Sequence, residues 1–87
     1  MENHYILGVH ITNRVKNARV VQDLFSEYGC NIKTRLGLHE VDKSFCSPSG
    51  LIILEMYGEL SLIHEMRDKM LAVEGVQVQE MIFVHPK

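Results

Sequence analysis

The sequence predicts an α+β fold: a ferredoxin-like βαββαβ sandwich, with two helices on one face of a four-stranded antiparallel sheet. Three observations carry this. Apolar residues recur with period two in three segments, run on both faces of a fourth, and recur with helical period in two others. Those segments follow one another as strand, helix, strand, strand, helix, strand. All of them fit within 87 residues, the length of one domain spanning residues 1–87.

The first strand is His4 to Thr12, where Tyr5, Leu7, Val9 and Ile11 share one face and His4, Ile6, Gly8 and His10 the other. Thr12 or Asn13 can cap the next helix, because each offers a side-chain oxygen to free first-turn amides. Val15 to Tyr28 is that helix, with Val21, Leu24, Phe25 and Tyr28 on its apolar stripe. Gly29 suits the left-handed position that ends a helix, and Cys30 is expected in the core. Cys30 to Val41 returns to period two, placing Ile32, Thr34, Leu36 and Leu38 on one face and Lys33, Arg35, Gly37 and His39 on the other.

Asp42 to Gly50 is rich in Ser, Pro and Gly and is expected to be a loop. It is long for a hairpin connection. Leu51 to Tyr57 is apolar on both faces and should be covered on both. Ser61 is the expected N-cap of a second helix, Leu62 to Val73, whose stripe is Ile63, Met66, Met70 and Val73. Gly75 punctuates, and Val76 to Val84 is the last strand. The methionines fall at core spacing and are expected to pack; His4 and His85 are expected to face solvent. With both helices on one sheet face, Ile6, Met81, Phe83 and half of the third strand remain uncovered. Such a patch on a monomer would be exposed. A homo-oligomer, dimer or tetramer, is therefore expected, formed through the sheet face or an edge.

Composition narrows function. The formal net charge is −2, and no basic stripe is present, so direct nucleic-acid binding by this chain alone is not expected. Two cysteines are too few for a disulfide scaffold. With no apolar run of membrane-spanning length and no secretory signal pattern, the expectation is a cytoplasmic protein with reduced thiols and no membrane partner. No paired carboxylates, Ser-His-Asp series or phosphate loop is found, so no catalysis is expected.

Two groups of residues are candidates for binding. Thr12, Asn13 and Arg14 stand where the first amides of a helix and an arginine favour an anion or carboxylate; the alternative is a capping loop with a surface arginine. His39 and Cys46 are candidate metal ligands, since imidazole and thiolate suit nickel, copper, zinc or iron. A second subunit would complete that site, with His10 or His64 as contributors. The alternative is a strand-end histidine and a small buried cysteine. Cys46 beside Lys43 is also a candidate redox thiol.

Gly29-Cys30-Asn31-Ile32 resembles the Gly-x-Asn-Ile lead into the second strand of the ACT-domain group of regulatory modules. The resemblance implies small-ligand binding and adds Asn31 to the ligand candidates. The family's loop after the first strand often carries Pro and Gly, whereas here it reads Thr12-Asn13-Arg14-Val15-Lys16. The runs Arg35 to Val41, Phe45 to Glu55 and Glu74 to Val78 resemble small ACT-like regulators of the iron-only hydrogenase system in anaerobic bacteria. His39 and Cys46 also stand at places similar to two ligands in the metal-sensing domain of nickel-responsive repressors. Those repressors have a further histidine where this chain has Gly37. These resemblances imply an oligomeric, ligand-binding regulatory module, with a metal sensor or a structural adaptor as alternatives.

Overall fold

The computed structural model describes residues 3–12, 18–41 and 46–85, with backbone only for 38–41 and 46–49. The elements run β1 (His4–Ile11), α1 (Ala18–Glu27), a 3-10 turn (Gly29–Asn31), β2 (Ile32–Val41), β3 (Cys46–Met56), α2 (Leu60–Leu71) and β4 (Val76–Phe83). The strands form one antiparallel sheet in the order β2-β3-β1-β4. This is the expected ferredoxin-like sandwich, with β1 and β3 central.

The periodicities locate the core. Leu7, Val9 and Ile11 of β1 face the same side as Ile52, Leu54 and Met56 of β3, because the register pairs Leu7 with Leu54 and Val9 with Ile52. All are buried against Val21, Leu24 and Phe25 of α1 and Ile63, Met66 and Met70 of α2. The helices are also tied at the surface. Tyr28 donates a short hydrogen bond to Glu65, and Lys69 Nζ donates to Glu27 Oε2 at 3.0 Å while lying 5.2 Å from the Tyr28 ring centroid. The start of β1 and the residues after β4 also meet, where the His85 amide donates to Asn3 Oδ1 at 3.1 Å.

Several expectations are corrected. Gly29 is not left-handed; the left-handed glycines among the described residues are Gly58 and Gly75, with φ of 105° and 88°. The chain instead leaves α1 through the 3-10 turn, closed by the Asn31 amide on the Tyr28 carbonyl at 2.8 Å, and Cys30 is exposed on that turn. Ser61 is not the N-cap. The Leu62 and Ile63 amides both reach the Glu59 carbonyl, so α2 starts at Leu60 with Glu59 at the cap and no side-chain cap bond. β3 begins at Cys46 rather than Leu51, so five residues read as loop belong to a strand. Ile11 pairs with Gly50 and Val41 with Cys46, so past Gly50 the strand meets β2 alone, through Cys46, and the hairpin overruns the central sheet.

β2 does not keep one alternation. Ile32 pairs with Met56 and Thr34 with Glu55, a register shift between them. One extra residue moves side chains to the opposite face, so Ile32 joins the core while Leu36 lies with Ile53 on the open face, 55% exposed. Met81 is exposed rather than packed. His4 is exposed as expected, but His85 is half-buried, with its Nδ1 enclosed and unbonded.

Candidate functional site

The end of the sheet where β1 and β2 begin and β3 finishes holds a cleft of about 310 Å³. It exists because the turn from β3 to α2 is pinned to the start of β2. The Tyr57 amide donates to the Asn31 carbonyl at 2.7 Å, and Asn31 Nδ2 donates back to the Tyr57 carbonyl at 3.0 Å. Gly58 then turns the chain with its positive φ, so close to Asn31 that a Cβ would lie 2.7 Å from Nδ2. The walls come from Asn3, His4 and Tyr5, from Lys33, and from Glu55 to Glu59.

The cleft presents charge of both signs. His4 Nδ1 donates to Glu55 Oε2 at 2.9 Å. That hydrogen bond, helped by the Lys33 charge, holds the Glu55 carboxyl below its ordinary range even though desolvation works the other way. His85 stacks at a tilt 6.0 Å from the His4 ring. Lys33, Tyr57 and Glu59 complete the lining. The contributing segments are far apart in sequence, which is why sequence reasoning missed the cleft; Gly58, just after a strand, was its one local signal.

Of the residues expected to bind ligand, Asn31 sits at this end in the structural role just described. Thr12 sits at the other end of β1. Its amide and its Oγ1 both donate to the Gly75 carbonyl, at 2.9 and 2.8 Å. Asn13 and Arg14 lie outside the described residues. Because β1 separates the two ends by about 25 Å at strand rise, Thr12 and Asn31 of one chain do not line one pocket.

His39 and Cys46 lie on paired strands at the Thr12 end. His39 pairs with Gly50, Cys46 with Val41, and the register shifts between those pairs. Lys43, like Phe45, lies outside the described residues. His10 Nδ1 donates to Gln77 Oε1 at 2.9 Å, and His64 Nε2 donates to Glu80 Oε1 at 3.0 Å. Among the described residues, no three His, Cys, Asp or Glu side chains cluster as metal ligands.

The sheet face opposite the helices is open. On it the register aligns Leu36 with Ile53, Leu51 with His10, Ile6 with Met81 and His4 with Phe83. Leu36, Leu51, Met81 and Phe83 are all exposed.

An uncharacterized protein from Thermotoga maritima matches this architecture with a TM-score of 0.76, at 24% identity over 93% of this chain and 98% of that one. The likeness is one of fold. A nitrogen regulatory PII-like protein from Thiomonas intermedia K12, solved with ADP, AMP and bicarbonate, matches with a TM-score of 0.51 and 17% identity over 99% of this chain and 98% of its own. A formyltetrahydrofolate deformylase from Pseudomonas putida KT2440 matches with a TM-score of 0.50 and 16% identity; the alignment covers 90% of this chain and 28% of the deformylase. No protein-family model matches the chain, and no curated protein matches it significantly. Among the described residues, no helix is long and apolar enough to cross a membrane.

Proposed function

We propose that this chain is a cytoplasmic, oligomeric, ACT-like regulatory module without catalysis of its own. It binds a small ligand or a partner protein at a subunit interface and serves an iron-only hydrogenase system. The observation that carries this reading is the open sheet face, where Leu36, Leu51, Met81 and Phe83 are exposed on a sheet covered by helices on its other side alone. An uncovered apolar face of this kind marks an interaction surface. The PII-like protein of the same fold, solved with adenine nucleotides and bicarbonate, supports the ligand-binding part. The resemblance of the Phe45-Cys46-Ser47-Pro48-Ser49-Gly50 segment supports the hydrogenase connection.

A second reading is a transition-metal sensor holding nickel, zinc or iron through His39 and Cys46. It is favoured by the register that puts these residues at the same end of paired strands. Thr12 lies toward that same end.

Light scattering and a thermal-shift screen separate the readings. A multimeric mass at micromolar concentration, with stabilisation by a nucleotide or amino acid, is the expected result. Stabilisation by Ni²⁺ or Zn²⁺ that disappears in Cys46→Ala points to the sensor. A multimer stabilised by neither class fits a structural adaptor. A monomeric mass removes the oligomeric reading.

A further inference from the structure

The residues that follow β4 are held at the start of β1 by two contacts. The His85 amide donates to Asn3 Oδ1 at 3.1 Å, and the His85 ring lies 6.0 Å from the His4 ring, tilted by 32°. One atom of this arrangement is unsatisfied: His85 Nδ1 is enclosed and has no hydrogen-bond partner. A neutral imidazole tolerates this, with a bare lone pair on Nδ1 and its proton on Nε2, whereas an imidazolium carries a proton on both nitrogens. The charged ring would hold an N–H where no acceptor stands, and an enclosed donor without a partner bears the full penalty of its dehydration. The neighbouring groups do not relieve it. His4 of β1 donates through Nδ1 to Glu55 Oε2, and its half-exposed side chain takes a second proton on Nε2 without giving up that bond. Glu55 of β3 is held ionised by His4 and the Lys33 charge and is engaged by His4 and Thr34. Tyr5 accepts from Asn3 Nδ2. Lys33 of β2 and, after β3, Tyr57 and Glu59 line the adjoining cleft, and none of them bonds to His85 Nδ1.

We propose that Val84 and His85 form a proton-released strap, closed over the start of β1 while the His85 ring is neutral and lifted when that ring takes up a proton. The closed form excludes a proton that the released ring accepts, so acid favours release. The range is the one in which a free imidazole titrates, about pH 7 to 5. In that range His4 also becomes a cation, and it then faces a second histidine that has no counter-ion of its own. Little holds the strap against this. Its tie to Asn3 is one backbone hydrogen bond, which an enclosed, unpartnered charge outweighs. Val84 is already 74% exposed, so lifting it uncovers little apolar surface. β4 ends at Phe83, which stays paired with His4, so the sheet is left intact and the motion is confined to Val84 and His85. Release bares Asn3 and His4 at the mouth of the cleft, which makes access to that cleft dependent on pH.

Nitrogen-15 NMR of the full chain, followed from about pH 8 to about pH 5 across the imidazole range, reads the strap directly. The His85 backbone amide and the Asn3 side-chain amide are expected to leave their hydrogen-bonded positions together as the His85 ring protonates, while the amides of β1 and β4 hold theirs. His85→Phe, an aromatic ring with no proton to take up, is expected to keep the strap closed throughout. His4→Gln removes the neighbouring charge and moves release to lower pH. His64, bonded to Glu80, is the control, and His64→Gln leaves the transition in place. Protonation of the His85 ring with its amide signal unmoved overturns the strap, and so does release at the same pH in His85→Phe. If His85→Phe already disturbs the closed form at pH 8, His85→Gln, polar and uncharged, carries the comparison.

Discussion

Gly58 and Gly8 show how differently two glycines of one sheet are constrained. Gly58 has a φ of 105°, and a methyl group there would press on the Asn31 amide that holds the cleft closed at its base. Gly58→Ala is therefore expected to cost about 1–3 kcal/mol, the scale of a non-glycine residue forced into positive φ. Gly8 lies on the open face with ordinary backbone, where a Cβ would meet Gln79 O at 3.9 Å and Ile53 Cδ1 at 4.0 Å. Those are normal contact distances, so Gly8→Ala is expected to be neutral or to stabilise by about 0.4–1 kcal/mol through the unfolded chain. Urea denaturation of the two variants beside the parent checks the opposite signs. The same scale governs Asn31. Its motif suggested a ligand contact, yet its side chain is spent on the Tyr57 carbonyl, a partner that lies 26 residues away and that no local pattern could have named.

The second helix shows where element boundaries escape sequence reasoning. Ser61 has the chemistry of a cap, but Leu60 already belongs to the helix because the Glu59 carbonyl accepts from both Leu62 and Ile63. Glu59 sits at the cap with extended backbone, φ −70° and ψ 134°, and makes no side-chain cap bond. Ser61→Ala is thus expected to change stability by less than about 0.5 kcal/mol. Glu59→Ser, which brings a capping hydroxyl to the right position, is expected to add about 0.5–1 kcal/mol. Thermal melts of the two variants distinguish the positions. The buried stripe of the helix, by contrast, was legible: Ile63, Met66 and Met70 are in the core at the spacing of the helical repeat, while Val73, also in the core, lies past the helix, which ends at Leu71 rather than Val73. In β2 the repeat failed because the register shift after Ile32 has no composition signature; only pairing with β3 reveals it. The early start of β3 was hidden in the same way, as Cys-Ser-Pro-Ser reads as loop until a partner strand is seen beside it.

For the molecule as a whole, element order, sheet order and the two-layer core followed from periodicity, because burial on one face imposes it. The cleft did not, because it is assembled from β1, β2 and the turn after β3. The elongated shape, 49 by 24 by 18 Å, goes with a hairpin that runs past the end of β1. A chain with four large apolar residues exposed on one sheet face should gain stability on association. Its melting temperature is therefore expected to rise with protein concentration, as mass action requires of a native multimer that unfolds to monomers. Melts over a hundredfold dilution series, read by circular dichroism at high and intrinsic tyrosine fluorescence at low concentration, test this; a midpoint independent of concentration counts against association.

The hydrogen bond between His85 and Asn3 carries a practical consequence. Asn3 and His85 thus share one corner of the molecule. It is the corner that holds the mouth of the cleft, through Asn3 and His4, and the terminal residue of β4, through the pairing of His4 with Phe83. A tag or fluorophore attached next to Asn3 or to His85 is thus tethered beside both candidate surfaces, and moving it from one of these residues to the other does not take it away. Screens for ligands or assembly call for cleaved protein.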